Sequence, residues 1–312
     1  MVLPVDDALR GLDVGALRLL QAIAEHGTLT AAAEALDASQ PAVSQHVRRL
    51  ERRLGTALLD RSGRRVRLTE AGQVLATYGV AVNAAVRAAG AEVAALTGLQ
   101  AGVVRLAAFP SSSATLVPKA LATLRKSHPG LTVTLEEAEP PQSLASLRTG
   151  ACDLAVAFAY PGVELGRYED DLSGLVSRHL LDDPTFVALP EDHPRAHQEH
   201  LDLADLASET WIAGCPRCRG HLLTAAAGCG FTPDIAYATD DYVAVLSLVA
   251  AGLGVALVPG LARRTADRHP GVVVREAAGT SARTVHAVTT PDLLRVPAVA
   301  ATIEALASAV AF

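Results

Sequence analysis

The 312-residue chain is too long for a single hydrophobic core, which predicts two or three compact units. Half of its residues are apolar and 19% are charged, and this composition excludes an intrinsically disordered protein. The formal net charge of −6 argues against a protein that coats nucleic acid indiscriminately, although such a sum can hide a local basic surface.

The first residues, MVLPVDDALRGL, do not resemble an export signal. Acids stand where a secretory signal would carry Lys or Arg ahead of an apolar core. We therefore expect a cytoplasmic protein. Its four cysteines should stay reduced there rather than form a disulfide framework.

Three short helices are predicted near the N-terminus, over residues 12–25, 29–36 and 39–54. Thr28 and Ser39 are suitable caps for the second and third helices. Residues 58–68 then predict a short two-stranded wing. A positioning helix, a tight turn and a second helix with an exposed polar face are the parts of a helix-turn-helix.

A basic surface is predicted on the third helix and the wing, because residues 44–68 contain eight arginines and two acids. Gln45 and Arg48 suit bidentate contacts with adenine and guanine edges, whereas Ser44 and the first-turn amides near Ser39 suit phosphate oxygens. Every amphipathic helix has a polar side, so a merely solvated face is the alternative to DNA binding.

A long alanine-rich helix is predicted over residues 70–97. Its apolar positions from Leu75 to Leu96 alternate spacings of four and three, the pattern of a coiled-coil seam. We predict a dimerisation helix.

After Gly98 the pattern changes to short apolar runs that alternate with helices, which predicts mostly parallel sheets covered by helices. Two α/β lobes with a cleft between them are the simplest arrangement. One uncharged run, residues 243–262, is long enough to cross a bilayer. Its glycines and Pro259 instead favour a buried helix, a glycine turn and a buried strand, so no membrane is expected as a partner.

The sequence GTLTAAAEALDASQPAVSQHVRRLERRLG from Gly27, with LLDRS from Leu58 and VRLTEAG from Val66, resembles the winged DNA-binding domain of LysR-type transcriptional regulators. The resemblance implies a homodimer, or a dimer of dimers, on a partly palindromic double-stranded operator. RNA polymerase is a further candidate partner. The expected DNA-binding residues are Thr28, Ser39, Gln40, Pro41, Ser44, Gln45, Arg48, Arg49, Arg61, Arg64 and Arg65.

The resemblance continues downstream in layout, including GACDLA from Gly150 and AGLGVALVP from Ala251. It implies an α+β multidomain protein whose C-terminal part is a two-lobed α/β effector domain of the periplasmic-binding-protein type. The expected divisions are a winged helix-turn-helix at 1–69, a linker helix at 70–98 and an effector domain at 99–312. Lobe I is expected at about 101–176 and 273–312, and lobe II at about 177–272.

In such regulators the effector lies between the lobes, where the first strand meets the next helix. The serines that follow Phe109 could hold an anionic or carboxylate end of a small molecule, and Phe109 with Phe158 an aromatic portion. Simple helix capping by one serine is the alternative. The expected effector-binding residues are Phe109, Pro110, Ser111, Ser112, Ser113, Phe158, Gly214 and Cys215.

Cys215-Pro216-Arg217-Cys218, followed by His221 and Cys229, leaves other chemistry open. Zinc would need four convergent ligands, and a redox switch would need an activated thiolate. Ordinary cysteines at the border of the cleft are the plainer interpretation, and we expect no metal and no cofactor. A thiol-based redox-sensing regulator that uses Cys215 and Cys218 is the alternative function.

The sequence contains no Walker loop, nucleophile elbow or H-E-x-x-H motif, so we expect no enzyme.

Overall fold

The chain folds into two compact units, Met1–Ala94 and Ala95–Phe312. The computed structural model describes residues 12–61, 66–162 and 172–310. The first unit contains the helix-turn-helix and the second contains two α/β lobes, in agreement with the expected fold class.

Side-chain caps and glycines define the helices of the first unit. Thr28 Oγ1 and Ser39 Oγ each accept a hydrogen bond from the amide three residues further on, at 3.1 and 3.4 Å. Gly27 and Gly55 end the preceding helices with φ of 68°, a left-handed conformation that glycine adopts without a Cβ clash. The elements are α1 (Val14–His26), α2 (Leu29–Ala35), α3 (Gln40–Leu54), β1 (Leu59–Asp60), β2 (Arg67–Leu68) and α4 (Glu70–Thr97).

The core of the first unit lies against one face of α3. Val43 and Val47 are 4% and 0% exposed, as the spacing of apolar residues predicts. The Glu51 carboxylate accepts the amides of Leu58 and Leu59 at 3.0 and 3.1 Å. Glu51 therefore ties α3 to the start of the wing, in addition to the apolar contacts of Leu59 with the same core.

The wing is an antiparallel pair of β1 and β2, in which Leu59 lies opposite Leu68. Its tip, with the predicted DNA contacts Arg64 and Arg65, lies outside the described residues.

Helix α4 spans the predicted range and packs closely on α1 through small residues. A Cβ on Gly79 would lie 2.8 Å from the Leu17 carbonyl oxygen, so only glycine allows this approach. Asn83 Nδ2 donates to Gln21 Oε1 at 2.7 Å. These contacts fix the first half of α4 to the helix-turn-helix.

The second half of α4 leaves its apolar side chains exposed. Val86, Val93 and Leu96, all in the predicted seam, are 50%, 58% and 49% exposed in the single chain. By length and composition alone α4 is apolar enough to span a membrane, although Arg87 and Glu92 interrupt it. The uncharged run at 243–262, by contrast, divides into a helix, a glycine turn and a strand, as predicted.

Lobe I of the second unit is built on a five-stranded sheet with the order β4-β3-β5-β13-β6. Strand β3 is parallel to β4 and β5, whereas β13 is antiparallel to both of its neighbours. Its elements are β3 (Gly102–Ala108), α5 (Pro110–Ala114), α6 (Leu116–Ser127), β4 (Leu131–Glu137), α7 (Gln142–Arg148), β5 (Leu154–Ala159), β6 (Val176–Asp183), β13 (Arg283–Thr289), α11 (Pro291–Leu294) and α12 (Pro297–Ser308).

Lobe II is built on a six-stranded sheet with the order β10-β9-β11-β7-β12-β8. Strand β7 lies antiparallel between β11 and β12, and its side chains are buried on both faces. Its elements are β7 (Thr185–Pro190), β8 (His200–Asp202), β9 (Thr210–Ala213), α8 (Pro216–Gly228), β10 (Asp234–Ala238), α9 (Tyr242–Ala250), β11 (Val255–Pro259), α10 (Gly260–Ala266) and β12 (Val272–Ala278).

The expected lobe boundaries near residues 176 and 273 are wrong by about one strand each. Strand β6 stays in lobe I because it pairs with β13, and β12 stays in lobe II because it pairs with β7. The chain crosses between the lobes at residues 183–185 and 278–283. The predicted boundaries assigned β6 and β12 to the lobe of the residues next to them in sequence. Their actual lobe is set by pairing with strands that are distant in sequence.

Candidate DNA interface and effector cleft

The side of α3 opposite its core presents the polar residues that were predicted to contact DNA. Gln45, Arg48 and Arg49 are exposed, and Ser44 is partly exposed beside them. An open groove of about 730 Å³ runs between this helix and the start of the wing. Its lining residues are Gln45, Arg48, Glu51, Arg52, Gly55, Thr56, Ala57 and Arg61.

Two of the predicted DNA-binding residues already act in the fold. Thr28 and Ser39 accept the capping bonds described above, but both are exposed and keep their hydroxyl protons for a second partner. Exposed Gln40 and Pro41 follow Ser39 in the first turn of α3, where the helix amides have no internal acceptor. Arg61 lies 3.6 Å from the Glu51 carboxylate, so a contact with DNA would share its charge with that acid.

The cleft of the second unit contains a pocket of about 390 Å³ between the lobes. Pro110 and Ser111 come from lobe I and Tyr242 from lobe II. Glu137, Asp240 and Asp241 also line it, so its walls carry more negative charge than an anionic ligand would favour.

The three serines of α5 are not free to hold a ligand in the way the sequence suggested. Ser112 and Ser113 donate to the carbonyl oxygens of Phe109 and Ala108, at 2.8 and 3.3 Å. Ser111 Oγ accepts a bond from a buried arginine instead. The capping alternative is also wrong, because the N-cap is Phe109, which makes no side-chain cap bond.

The two phenylalanines expected in the cleft belong to the core of lobe I. Phe109 and Phe158 are 1% and 0% exposed and pack edge to face with ring centroids 4.8 Å apart. The guanidinium of Arg283 lies 4.8 and 4.5 Å from the two ring centroids. They therefore support a buried cation rather than an aromatic ligand.

Arg283 is the centre of a buried cluster where the chain crosses between the lobes. Its guanidinium binds Asp183 Oδ2 through two nitrogens, at 2.9 and 2.8 Å, and donates to Ser111 Oγ at 2.7 Å. The other carboxylate oxygen of Asp183 accepts the amide of Leu261 in α10 at 2.9 Å. Burial raises the pKa of Asp183, while Arg283 and the α10 amides act in the opposite direction. One ion pair thus joins both crossing points and both lobes.

Gly214 and Cys215 lie beside this cluster, at the start of α8. Cys215 is the N-cap, and its Sγ accepts the Cys218 amide at 3.4 Å. The two sulfur atoms are 3.2 Å apart, which places the C-x-x-C pair in contact. Hydrogen bonding to Cys215 lowers the pKa of the Cys218 thiol, whereas bonding to Cys218 and burial raise that of Cys215. The pair is chemically unequal.

His221 does not complete a metal site with these thiols. Its ring stacks on Tyr160 with centroids 3.9 Å apart, and burial, with the nearby Arg283, lowers its pKa to about 4. Within residues 12–61, 66–162 and 172–310, no group of three or more His, Cys, Asp or Glu side chains could hold a metal ion. The zinc alternative has no support there.

Two family models match the chain. The one described as "Bacterial regulatory helix-turn-helix protein, lysR family" matches residues 14–73, and "LysR substrate binding domain" matches residues 97–311. The chain belongs to the LysR family of transcriptional regulators. Members of this family are DNA-binding regulators rather than enzymes, and they respond to small-molecule effectors and form oligomers.

Individual relatives of this LysR-type regulator cover most of its length. The DNA-binding transcriptional dual regulator OxyR of Escherichia coli K12 is 30% identical over 268 residues, which is 84% of each chain. The RuBisCO operon transcriptional regulator of Allochromatium vinosum is 33% identical over 196 residues, 63% of this chain and 62% of its own.

Solved structures agree with these sequence relatives. A full-length OxyR variant from Pseudomonas aeruginosa has a TM-score of 0.76 and 25% identity, covering 96% of this chain and 99% of that one. The oxidised form of Corynebacterium glutamicum OxyR has a TM-score of 0.74 and 26% identity, covering 96% and 94%.

Sequence reasoning missed two groups of this LysR-type regulator, a buried ion pair and a half-buried carboxyl. Arg283 and its partner Asp183 are separated by 100 positions and belong to no motif. Glu139 follows β4 in a short loop and lines a small inter-lobe chamber together with Cys215 and Cys218. Burial, with the nearby Cys215, raises its pKa to about 8. A lone charged residue beside prolines gave no signal that it would line an inter-lobe chamber.

Proposed function

We propose that the regulator reads its operator through the exposed face of α3. The single observation that carries this proposal is the open groove beside Gln45 and Arg48, because both side chains reach from a helix whose other face is fully packed. Gln45 and Arg48 would contact base edges, and the exposed first turn around Ser39 would contact phosphate. Arg49, Ser44 and Thr28 would extend the phosphate contacts.

The exposed half of α4 would be covered by a second copy of the chain. Val86, Val93 and Leu96 form an apolar face that is costly to leave in water. A dimer formed there would present two recognition helices to a partly palindromic operator. We place this activity in the cytoplasm, with RNA polymerase as a further candidate partner.

The DNA proposal is tested by titrating purified protein onto the promoter DNA of its own gene at several salt concentrations. Arg48→Ala should weaken specific binding by about 10-fold to 100-fold, the value of one bidentate base contact. Arg125→Ala is the matched control, because it removes the same charge from an exposed position on α6 of the other unit. Equal losses in both variants would contradict base readout by Arg48.

We propose that the effector binds in the inter-lobe pocket next to Pro110, Ser111 and Tyr242. The carboxylates of Glu137 and Asp240 favour a ligand that offers a cationic or hydrogen-bond-donating group, in place of the anionic end that the sequence suggested. A thermal-shift panel of matched amines and carboxylates tests this choice, since a ligand that binds only the folded state raises Tm. Stabilisation by carboxylates alone would overturn it.

Thiol-based redox sensing is a second candidate function, because the Cys215 and Cys218 sulfur atoms are in contact at 3.2 Å. Several relatives, such as that of Dickeya chrysanthemi, are named hydrogen peroxide-inducible genes activators. Operator binding should then change after peroxide treatment and recover with reductant. Cys215→Ser and Cys218→Ser should abolish this response.

Cys152→Ser is the control for the thiol experiment. Cys152 is buried in lobe I, away from the other thiols, and burial raises the pKa of its thiol to about 11, so we expect it not to react with peroxide near pH 7. Loss of the response in this variant as well would argue against a specific role of the Cys215 and Cys218 pair.

A further inference from the structure

Glu139 brings a carboxyl group from lobe I to the thiol pair of lobe II. It lies two residues beyond β4 and shares the walls of a small chamber with Cys215 and Cys218. The chamber has a volume of about 10 Å³, room for one water-sized molecule. Within the described residues, Glu139 Oε2 is buried and has no hydrogen-bond partner.

A buried carboxyl oxygen without a partner is costly, so its retention beside two thiols needs a chemical reason. The carboxyl and the Cys215 thiol line the same small chamber. Because burial, with the adjacent Cys215, raises the pKa of Glu139 to about 8, its carboxyl is mostly a neutral acid at pH 7. A neutral acid can give up a proton, whereas an ordinary surface carboxylate cannot.

We propose that Glu139 is the proton-transfer group of the Cys215 and Cys218 pair, serving its oxidation by a hydroperoxide. This inference rests on the thiol-based function proposed above. It assigns Cys218 as the attacking thiol, Cys215 as the resolving thiol and Glu139 as the acid that protonates the leaving oxygen.

The first step consumes the proton of Glu139. Cys218, having released its proton to solvent, attacks one oxygen of the hydroperoxide as a thiolate. The S–O bond forms, the O–O bond breaks, and the leaving oxygen takes the Glu139 proton to become water or an alcohol. Cys218 is now a sulfenic acid and Glu139 is a carboxylate.

The second step restores Glu139. Cys215 attacks the Cys218 sulfur, its thiol proton passes to the Glu139 carboxylate, and the S–S bond forms as the S–O bond breaks. The hydroxide that leaves recombines with the proton released to solvent at the start. Two thiols and one hydroperoxide thus give one disulfide, one water and the reduced peroxide, and Glu139 ends as it began.

The order of the two thiols follows from their surroundings. The Cys215 thiol donates towards the Cys218 sulfur, and the Arg283 guanidinium adds positive charge near it, so the negative charge is best placed on Cys218. The titratable and charged groups that face Glu139 or this sulfur come from α8, β13, the end of β5 and the start of α9: Cys215, Cys218, Arg283, Tyr160, Asp240 and Tyr242.

The test is the second-order rate of Cys215–Cys218 disulfide formation with hydrogen peroxide, followed by peptide mass mapping from pH 5 to 10. The wild-type rate should rise as Cys218 ionises and fall again around pH 8 as Glu139 loses its proton. Glu139→Gln should react about 100-fold more slowly near pH 7, the contribution of a well-placed general acid, and should lose the descending limb. Glu139→Asp should restore part of the reaction rate and part of the descending limb.

Glu136→Gln is the matched control, because it makes the same substitution at an exposed position of β4 outside both inter-lobe pockets and should leave rate and profile unchanged. Operator binding and melting of each variant show that it is folded. If the wild type forms the disulfide and Glu139→Gln keeps its rate and descending limb, the role of Glu139 is wrong while the thiol function stands. If the wild type forms no Cys215–Cys218 disulfide, the thiol function fails and this inference fails with it.

Discussion

In the helix-turn-helix unit, the side chains expected to meet DNA project from a core that is complete without them. In the two-lobed unit, the side chains around the cleft are themselves part of the core. Arg48 is exposed and Arg283 is 1% exposed, yet both are arginines at the centre of a site. Changes in the first region should therefore alter binding with little effect on folding, whereas changes in the second should alter both.

The largest expected effect is at the buried ion pair. Asp183→Asn leaves the Arg283 charge uncompensated and should destabilise the two-lobed unit by about 3–5 kcal/mol. Thermal melting of the unit should show this loss. Glu304→Gln, which breaks an exposed pair with Arg178 on the same lobe, should cost about 1 kcal/mol or less. If both substitutions lower the free energy of unfolding by the same amount, burial does not make the Asp183–Arg283 pair more important for stability than the exposed pair.

The pH dependence of stability should identify the cleft carboxyl. The pKa of Glu139 is about 8 in the folded protein and near 4.5 in an ordinary setting, so between these values only the folded state holds the proton. The wild type should therefore lose stability as pH rises from about 4.5 to 8. Allowing for partial exposure, Glu139→Gln should be more stable relative to the wild type at pH 9 than at pH 5, by about 2 kcal/mol. A difference that does not vary with pH would mean that Glu139 is ionised in the fold.

A change on the recognition helix should separate binding from folding. Gln45→Ala should weaken the preferred operator by about 1–2 kcal/mol and relax the preference at one base pair. Its free energy of unfolding, measured by thermal melting, should stay within about 0.5 kcal/mol of the wild type, because the side chain is exposed. Uniform weakening on all DNA sequences would instead assign Gln45 to phosphate contact.

The smallest expected effect belongs to a residue with both roles. Ser39→Ala removes the cap of α3 and should cost about 1 kcal/mol of stability in the helix-turn-helix unit. It should also weaken operator binding uniformly. Ser39→Asp is the comparison, since it restores the cap but places a negative charge against phosphate. If Ser39→Asp binds DNA as well as the wild type, the contact with phosphate is not made there.

The sequence predicted most of the first unit because its signals are local. Caps at Thr28 and Ser39, glycines at the helix ends and an apolar stripe on α3 act within a few residues of one another. Helix α4 was predicted over its full range for the same reason.

The cleft could not be predicted to the same depth, because its contacts join distant parts of the chain. Phe109 and Phe158 look like ligand contacts until Arg283, more than 120 positions away, packs against both rings. Strand β6 was assigned to the wrong lobe since its pairing with β13 lies about 100 positions ahead. These positions depend on the C-terminal segment that returns to lobe I, which contains both Arg283 and β13.

Lobe II is one continuous segment of chain inserted into lobe I, and this affects the order of events during synthesis. Residues 185–278 contain every strand of the lobe II sheet, so this lobe can close as soon as they leave the ribosome. The lobe I sheet must wait, because β13 occupies a position between β5 and β6. Until then the edges of β5 and β6 that will face β13 are unpaired, and such edges are open to pairing with other chains.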